Sequence, residues 1–228
     1  MIDNPPPLTI HRGWKRPDPA LVARFRGAQT SHLADAMEGR GMLDARIKPL
    51  DAARASFAAP AVTAYAYPAD TLAVFGALHE AQAGDAIIVA CDGFLAAALV
   101  GDIMSGMMHN KGVVGFVTDG VVRDSAGILA IGMPVFSAGV NSNSGAMAGP
   151  GTVGVPITLG GMHVRPGDIL VGDADGVVVV PAERAEQVLA TLERVRAAEA
   201  VTEARVREGL TMSDGALALI QAARIIEE

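Results

Sequence analysis

Apolar positions along this chain fall into two rhythms. Short buried-type runs rich in Val, Ile and Ala, among them AVTAYAY (61–67), AIIVA (86–90), GVVGFVT (112–118) and PVFSAGV (134–140), read as strands. Between them lie stretches with helical character: TLAVFGALHEAQA after Asp70, DIMSGMMHNK after Gly101, and SAGILAIG after Asp124. Helix and strand thus alternate through the middle of the chain, which predicts α/β layers. Two helical pieces are expected earlier, in PDPALVARFRGAQTSHLADAMEGRG, the second capped by Thr30 or Ser31 and ended by Gly39 or Gly41. Asp35 on it reads as a solvated face residue. The proline-rich residues 1–17 read as an extended arm, draped over a neighbouring subunit. The run 139–154, GVNSNSGAMAGPGTVG, reads as a flexible connection that lacks the GK[ST] ending of a phosphate loop. VPITLGGMHVRPGDILVGDADGVVVVP then gives short strands and turns, followed by a long helix from Ala182 to about Glu208 and a terminal one.

The stretch Gly101–Asp124, GDIMSGMMHNKGVVGFVTDGVVRD, concentrates the charged groups around one buried strand. Gly101 and Asp102 carry helix-start signals, and Lys111 and Gly112 carry stop signals. The strand ends at the turn dipeptide Asp119-Gly120, and the loop delivers Arg123 beside Asp124. One helix–strand pass brings Asp102, Arg123 and Asp124 to the same end of a sheet, where open α/β sheets hold ligands. Carboxylate oxygens suit a hard ion such as Mg²⁺. A guanidinium offers a planar fork to a carboxylate or a developing enolate, and the helix start offers free N–H groups to an anion. The set suits a small 2-oxo acid. The alternative is that Arg123 and Asp124 cap the next helix and pair with surface charges.

Composition removes other classes. Half of the 228 residues are hydrophobic and 19% are charged, which fits a single globular domain over 1–228. A net charge of -7 without Lys/Arg clusters argues against a nucleic-acid partner. The apolar pieces are too short to span a bilayer, and MIDNPPPLTI lacks the features of a signal peptide, so a cytoplasmic protein with no membrane contact is expected. The lone Cys91 follows a buried strand and reads as an inert core thiol. His11, His32, His79, His109 and His163 show no metal-ligand spacing, no GxSxG motif occurs, and no GxGxxG follows a strand. Asp173-Ala174-Asp175-Gly176 begins like a calcium loop, but no glutamate follows at the required offset, so it reads as a β-turn.

Twenty residues separate Asp102 from the Arg123-Asp124 pair. With GDIMS, AQAGDAIIVA, GVVGFVTDGVVRD and VRPGDILVGDADGVVVVP, this spacing resembles the class II pyruvate aldolases of the 4-hydroxy-4-methyl-2-oxoglutarate / 4-carboxy-4-hydroxy-2-oxoadipate aldolase group. That group belongs to the RraA-like superfamily, which also holds regulators that inhibit a ribonuclease by binding it. The resemblance implies a compact layered β/β/α core of the swivelling-domain kind, with N- and C-terminal helices (182–228 at the C-terminal end), assembled as a homotrimer or homohexamer. It implies that Asp124 binds Mg²⁺ or Mn²⁺ and that Asp102 acts through metal-bound water. Arg123 would contact the keto oxygen and stabilise the pyruvate enolate, while the amides of Gly101, Asp102, Ile103 and Met104 would hold the substrate carboxylate. A glutamate from a neighbouring subunit, ten residues before a glycine, corresponds to Glu199 before Gly209, with Glu203 as a substitute. The implied reaction is retro-aldol cleavage to pyruvate, with oxaloacetate decarboxylation as a side activity. The competing expectation is a non-catalytic ribonuclease regulator.

Overall fold

The computed structural model describes residues 5–226. Strand β1 (Thr9–Ile10) leads to helices α1 (Pro19–Ala23) and α2 (Thr30–Ala36), the short strand β2 (Lys48–Pro49) and the long strand β3 (Phe57–Ala66). Then come α3 (Leu72–Glu80), β4 (Ala86–Ala90), β5 (Ala98–Val100), α4 (Asp102–Asn110), β6 (Gly115–Thr118) and β7 (Val121–Val122). Helix α5 (Ser125–Ile131) precedes β8 (Val135–Ser137), β9 (Gly139–Val140), β10 (Gly151–Val153), β11 (Ile157–Leu159) and β12 (Met162–Val164). Strands β13 (Ile169–Gly172) and β14 (Val177–Val180) lead to the long helix α6 (Ala185–Arg207) and to α7 (Asp214–Gln221).

The main sheet runs β1-β10-β3-β4-β6-β8-β2, with the central β3-β4-β6-β8 set parallel. β4 shows why these runs are apolar throughout: its side chains alternate between two buried layers. Ile87 and Val89 face Val74 and Ala77 of α3 and Met104 and Met108 of α4. Ala86 and Ile88 face a second β layer built from Ile157, Leu159 and Val164, with Leu170 and Val179. The far side of β13 and β14 (Ile169, Val171, Val178) packs on Leu33 of α2 and on Val188, Leu189 and Leu192 of α6. The expected layered β/β/α core with helices from both ends of the chain is therefore present.

Several local readings change. The strand expected over 112–118 begins only at Gly115, and Val121–Val122 belong to a separate parallel sheet, β5-β7-β9. The arm packs on its own chain: β1 pairs with β10, and Arg12 donates to Glu80 at 2.9 and 2.7 Å. Arg16 likewise donates to the buried Asp85; residues 1–4 of the expected arm lie outside the described residues. Thr30 and Ser31 do not cap α2. The Asp173 carboxylate does so from the distant β13–β14 turn, accepting from the Thr30 N–H and hydroxyl at 2.7 Å each. The turn reading of 173–176 stands, because the Asp173 N–H donates to the Gly176 carbonyl.

The 139–154 run is no flexible connection. Its ends form β9 and β10, and its middle is bridged at Ser144 to Ala98 and at Ala146 to Asp70. Asp70 is 4% exposed, and its carboxylate accepts from the N–H groups of Leu72, Ala148 and Gly149 at 2.8, 2.6 and 2.8 Å. One buried acid, standing just before the N-cap Thr71, thus holds the start of α3 and also clamps the loop to the helix.

Candidate active site

The end of strand β5 and the start of α4 meet the end of β7 and the start of α5. Gly101 is the N-cap of α4 in an extended conformation, and Lys111 closes the helix as expected, with Gly112 beyond it at φ +83°. A Cβ at 101 would sit 2.5 Å from Asp124 Oδ2 and 3.2 Å from Arg123 Nε, so a side chain there would displace that pair. The backbone of the α4 start is thus pressed against the Arg123-Asp124 pair. Arg123 is fixed by its own N–H, which donates to the Val100 carbonyl at 2.9 Å. The turn before it is held by Asp119, whose carboxylate accepts from the Cys91 and Gly93 N–H groups.

Asp124 occupies the left-handed region (φ +54°, ψ +42°) as the residue before α5, and its side chain makes no cap hydrogen bond. Its carboxylate instead lies 3.2 Å from Arg123 Nε, with both side chains about 40% exposed. A non-glycine residue in this conformation carries backbone strain, which recurs at functional sites. The capping alternative for Asp124 therefore loses its main support. Asp102 turns one oxygen to its neighbour's amide, accepting from the Ile103 N–H at 2.7 Å. Its other oxygen lies over Gly127 of α5, where a Cβ would come within 2.6 Å of it. Glycines at 101 and 127 are what let the two helix starts close around these acids.

Together these groups line a cavity of about 220 Å³ that also includes Thr71, Phe75, Met107, Ser144 and Gly145. The structure so assembles Gly101, Asp102, Ile103, Met104, Arg123 and Asp124 in one place. The Ile103 N–H is taken by the Asp102 carboxylate, while the Asp102 and Met104 N–H groups have no backbone acceptor in the helix and point at its N-terminal end. Glu199 is not among them. It lies on α6, where its carboxylate contacts His32 Nε2 of α2 in the same chain, and Glu203 stands one turn further along. Thr71, Phe75 and Ser144 carried no signal of their own in the sequence, since only the packing of α3 and of the 139–154 segment brings them to the cavity. Met107 stands one turn beyond Ile103 on α4. Cys91 is buried, and burial pushes its thiol up to about 12, in keeping with an inert core residue.

Residues 30–179 match the RraA-like family, described as aldolase/RraA. The chain belongs to that family. It is 37% identical over 199 residues to a protein of Halalkalibacterium halodurans named "Putative 4-hydroxy-4-methyl-2-oxoglutarate aldolase", covering 87% of this chain and 91% of that one. Among solved structures, an uncharacterized protein from Pseudomonas syringae superposes with a TM-score of 0.76 at 24% identity, over 87% of this chain and 97% of that one. Streptomyces coelicolor RraAS2, described as an unusual member of the RNase ES inhibitor RraA protein family, gives 0.74 at 27% identity, over 83% and 100%. The RraA-like resemblance of the sequence is thereby established. Among the described residues no helix is long and apolar enough to cross a membrane.

Proposed function

We propose that this RraA-like protein is a class II pyruvate aldolase that cleaves a 4-hydroxy-2-oxo acid by a divalent-metal-dependent retro-aldol reaction. The observation that carries the reading is the contact of the Arg123-Asp124 pair with the open N-terminus of α4. The α4 amides bind the substrate carboxylate, and the Arg123 guanidinium hydrogen-bonds the 2-keto oxygen. Asp102 orients a water that takes the C4 hydroxyl proton. The C3–C4 bond breaks as C4 becomes a carbonyl, its electron pair passes into a pyruvate enolate, and C3 takes a proton. Arg123 stabilises the negative charge as it develops.

Among the described residues no group of three or more His, Cys, Asp or Glu side chains could enclose a metal. Two solvent-accessible carboxylates, Asp102 and Asp124, still fit Mg²⁺ or Mn²⁺, which take few protein oxygens and keep several waters. Asp124 would hold the ion directly, Asp102 through water, and Glu199 or Glu203 of a neighbouring subunit through water. When bound, the ion supplies Lewis-acid polarisation of the keto group. The same enolate stabilisation predicts oxaloacetate decarboxylation.

The name of the bacterial relative makes 4-hydroxy-4-methyl-2-oxoglutarate the first substrate to assay. Pyruvate release is expected with Mg²⁺ and is lost with EDTA; Arg123→Ala lowers kcat about 10²- to 10³-fold with the fold intact by circular dichroism. The likeness to RraAS2 favours a second reading, ribonuclease inhibition by binding. That activity needs no Arg123-Asp124 pair, so an inhibitor that survives Arg123→Ala and releases no pyruvate would replace the aldolase reading.

A further inference from the structure

The Asn- and Ser-rich residues 141–145 are built onto the strand that leads into the α4 start. Asn141 Nδ2 donates to the Leu95 carbonyl and Asn143 Nδ2 to the Ala96 carbonyl, both at 2.8 Å. The Ala98 N–H donates to the Asn143 carbonyl at 2.9 Å, and the Ala98 carbonyl accepts from the Gly145 N–H at 3.3 Å. Ala98 of β5 thus pairs with Val121 of β7 on one side and with Ser144 on the other. The segment is a braced wall of the cavity, and Ser144, itself exposed, is the residue of it that brings a side chain there.

Three side chains lining the cavity can donate a hydrogen bond: Thr71, Arg123 and Ser144. The aldolase reading directs Arg123 to the keto oxygen. Thr71 Oγ already donates to the Ala146 carbonyl at 2.9 Å. Ser144 Oγ meets the Gly145 carbonyl at 3.4 Å, beyond the range of a good O–H···O bond. Its donor is therefore held in place by the backbone and still open to a ligand. The substrate has one acceptor group to match. Its first carboxylate rests on the α4 amides, its keto oxygen on Arg123, and its C4 hydroxyl on the water that takes the proton. The carboxylate on C4, which leaves with the second oxo acid, has no partner among these groups. We infer that Ser144 is a substrate-binding residue whose hydroxyl donates to that C4 carboxylate. The inference rests on the aldolase reading and adds one contact to it, alongside a divalent ion on Asp124 and a neighbouring subunit's glutamate at that ion.

The test uses the full-length protein with Mg²⁺ and two readouts. One is kcat/KM for pyruvate release from 4-hydroxy-4-methyl-2-oxoglutarate. The other is exchange of the pyruvate methyl protons in D₂O, followed by NMR, which needs the enolate site but no group on C4. Ser144→Ala is expected to lower the first about tenfold to a hundredfold, the scale of one hydrogen bond to a charged group, and to leave the second within about twofold. Equal losses in both readouts mean that the change disturbs the whole site, and they overturn the inference. So does a full rate of cleavage in the variant. An equal loss with 4-hydroxy-2-oxopentanoate, which has the C4 hydroxyl but no carboxylate there, overturns the carboxylate as the partner. Exchange by the wild type without cleavage of the carboxylated substrate overturns the inference and leaves the enolate chemistry standing. Neither exchange nor pyruvate release from the wild type removes the aldolase reading itself, and this inference with it.

Discussion

Glycine sets the spacing of the candidate site. Gly127 has no room for a side chain, because a Cβ would meet Asp102 Cβ and Oδ2 at 2.6 Å each. Since Asp102 Cβ belongs to the short, stiff base of that side chain, α4 and α5 must part to admit a methyl group. Gly127→Ala is therefore expected to cost roughly 1–3 kcal/mol, the usual price of overpacking, and to lower activity by moving Asp102. Urea melts read the first effect, and pyruvate release the second. Gly106 of α4 contrasts with it: its Cβ would meet only Ile131 Cδ1, at 3.8 Å, so Gly106→Ala should be tolerated. The difference between these two glycines is invisible in sequence, where both are single glycines within predicted helices.

At the scale of elements, the Gly-rich loop and the arm are held by two acids, Asp70 and Glu80. Removing the Asp70 carboxylate leaves the Ala148 and Gly149 N–H groups and the start of α3 without their acceptor. Asp70→Ala is expected to destabilise the fold by about 3 kcal/mol, as for lost charge-assisted bonds to buried groups. It also frees the segment that carries Ser144, so hydrogen exchange at the 148 and 149 amides should rise most. Glu80 ties the arm to α3. Hydrogen bonds from Arg12, then from His79, lower its carboxyl from 4.5 to about 2. A depressed acid contributes stability above its unfolded pKa and loses it as the pH falls through the folded value. The native state should thus lose this contribution between pH 4.5 and 2, and Glu80→Gln should flatten that limb of a stability–pH profile. An unchanged limb in the variant would show that other acids govern it.

The whole molecule presents more apolar surface at its C-terminal end than a lone domain needs. The first turns of α6 are buried, but Val201, Val206, Leu219 and Ile220 are all more than half exposed. Surfaces of this kind mark protein interfaces. Sedimentation is expected to give three or six times the 23.4 kDa of one chain. A monomer would leave Glu199 with no neighbouring site to reach, since within its own chain it contacts His32. Glu199→Gln should then leave metal dependence untouched, whereas in an assembly that uses the residue the Mg²⁺ requirement should rise.

What the sequence determined by itself is what local rules encode. The β-branched and Ala-rich runs specify buried strands, as AIIVA shows. Gly101, Lys111 and Gly112 specify the limits of α4, and the spacing of Asp102 from Arg123-Asp124 identifies the family. Each depends on residues within a turn or a strand of one another, or on a pattern that spans one helix–strand pass. The tertiary structure decided the rest, because it depends on which distant groups meet. Asp173 caps α2 across 143 residues, Asp70 holds a loop 78 residues away, and the walls of the cavity come from α3, α4 and the 144–145 segment. Hydrogen-bond partners and cavity walls at such separations leave no periodicity in the chain, so only the packed sheet and its helices could bring them together.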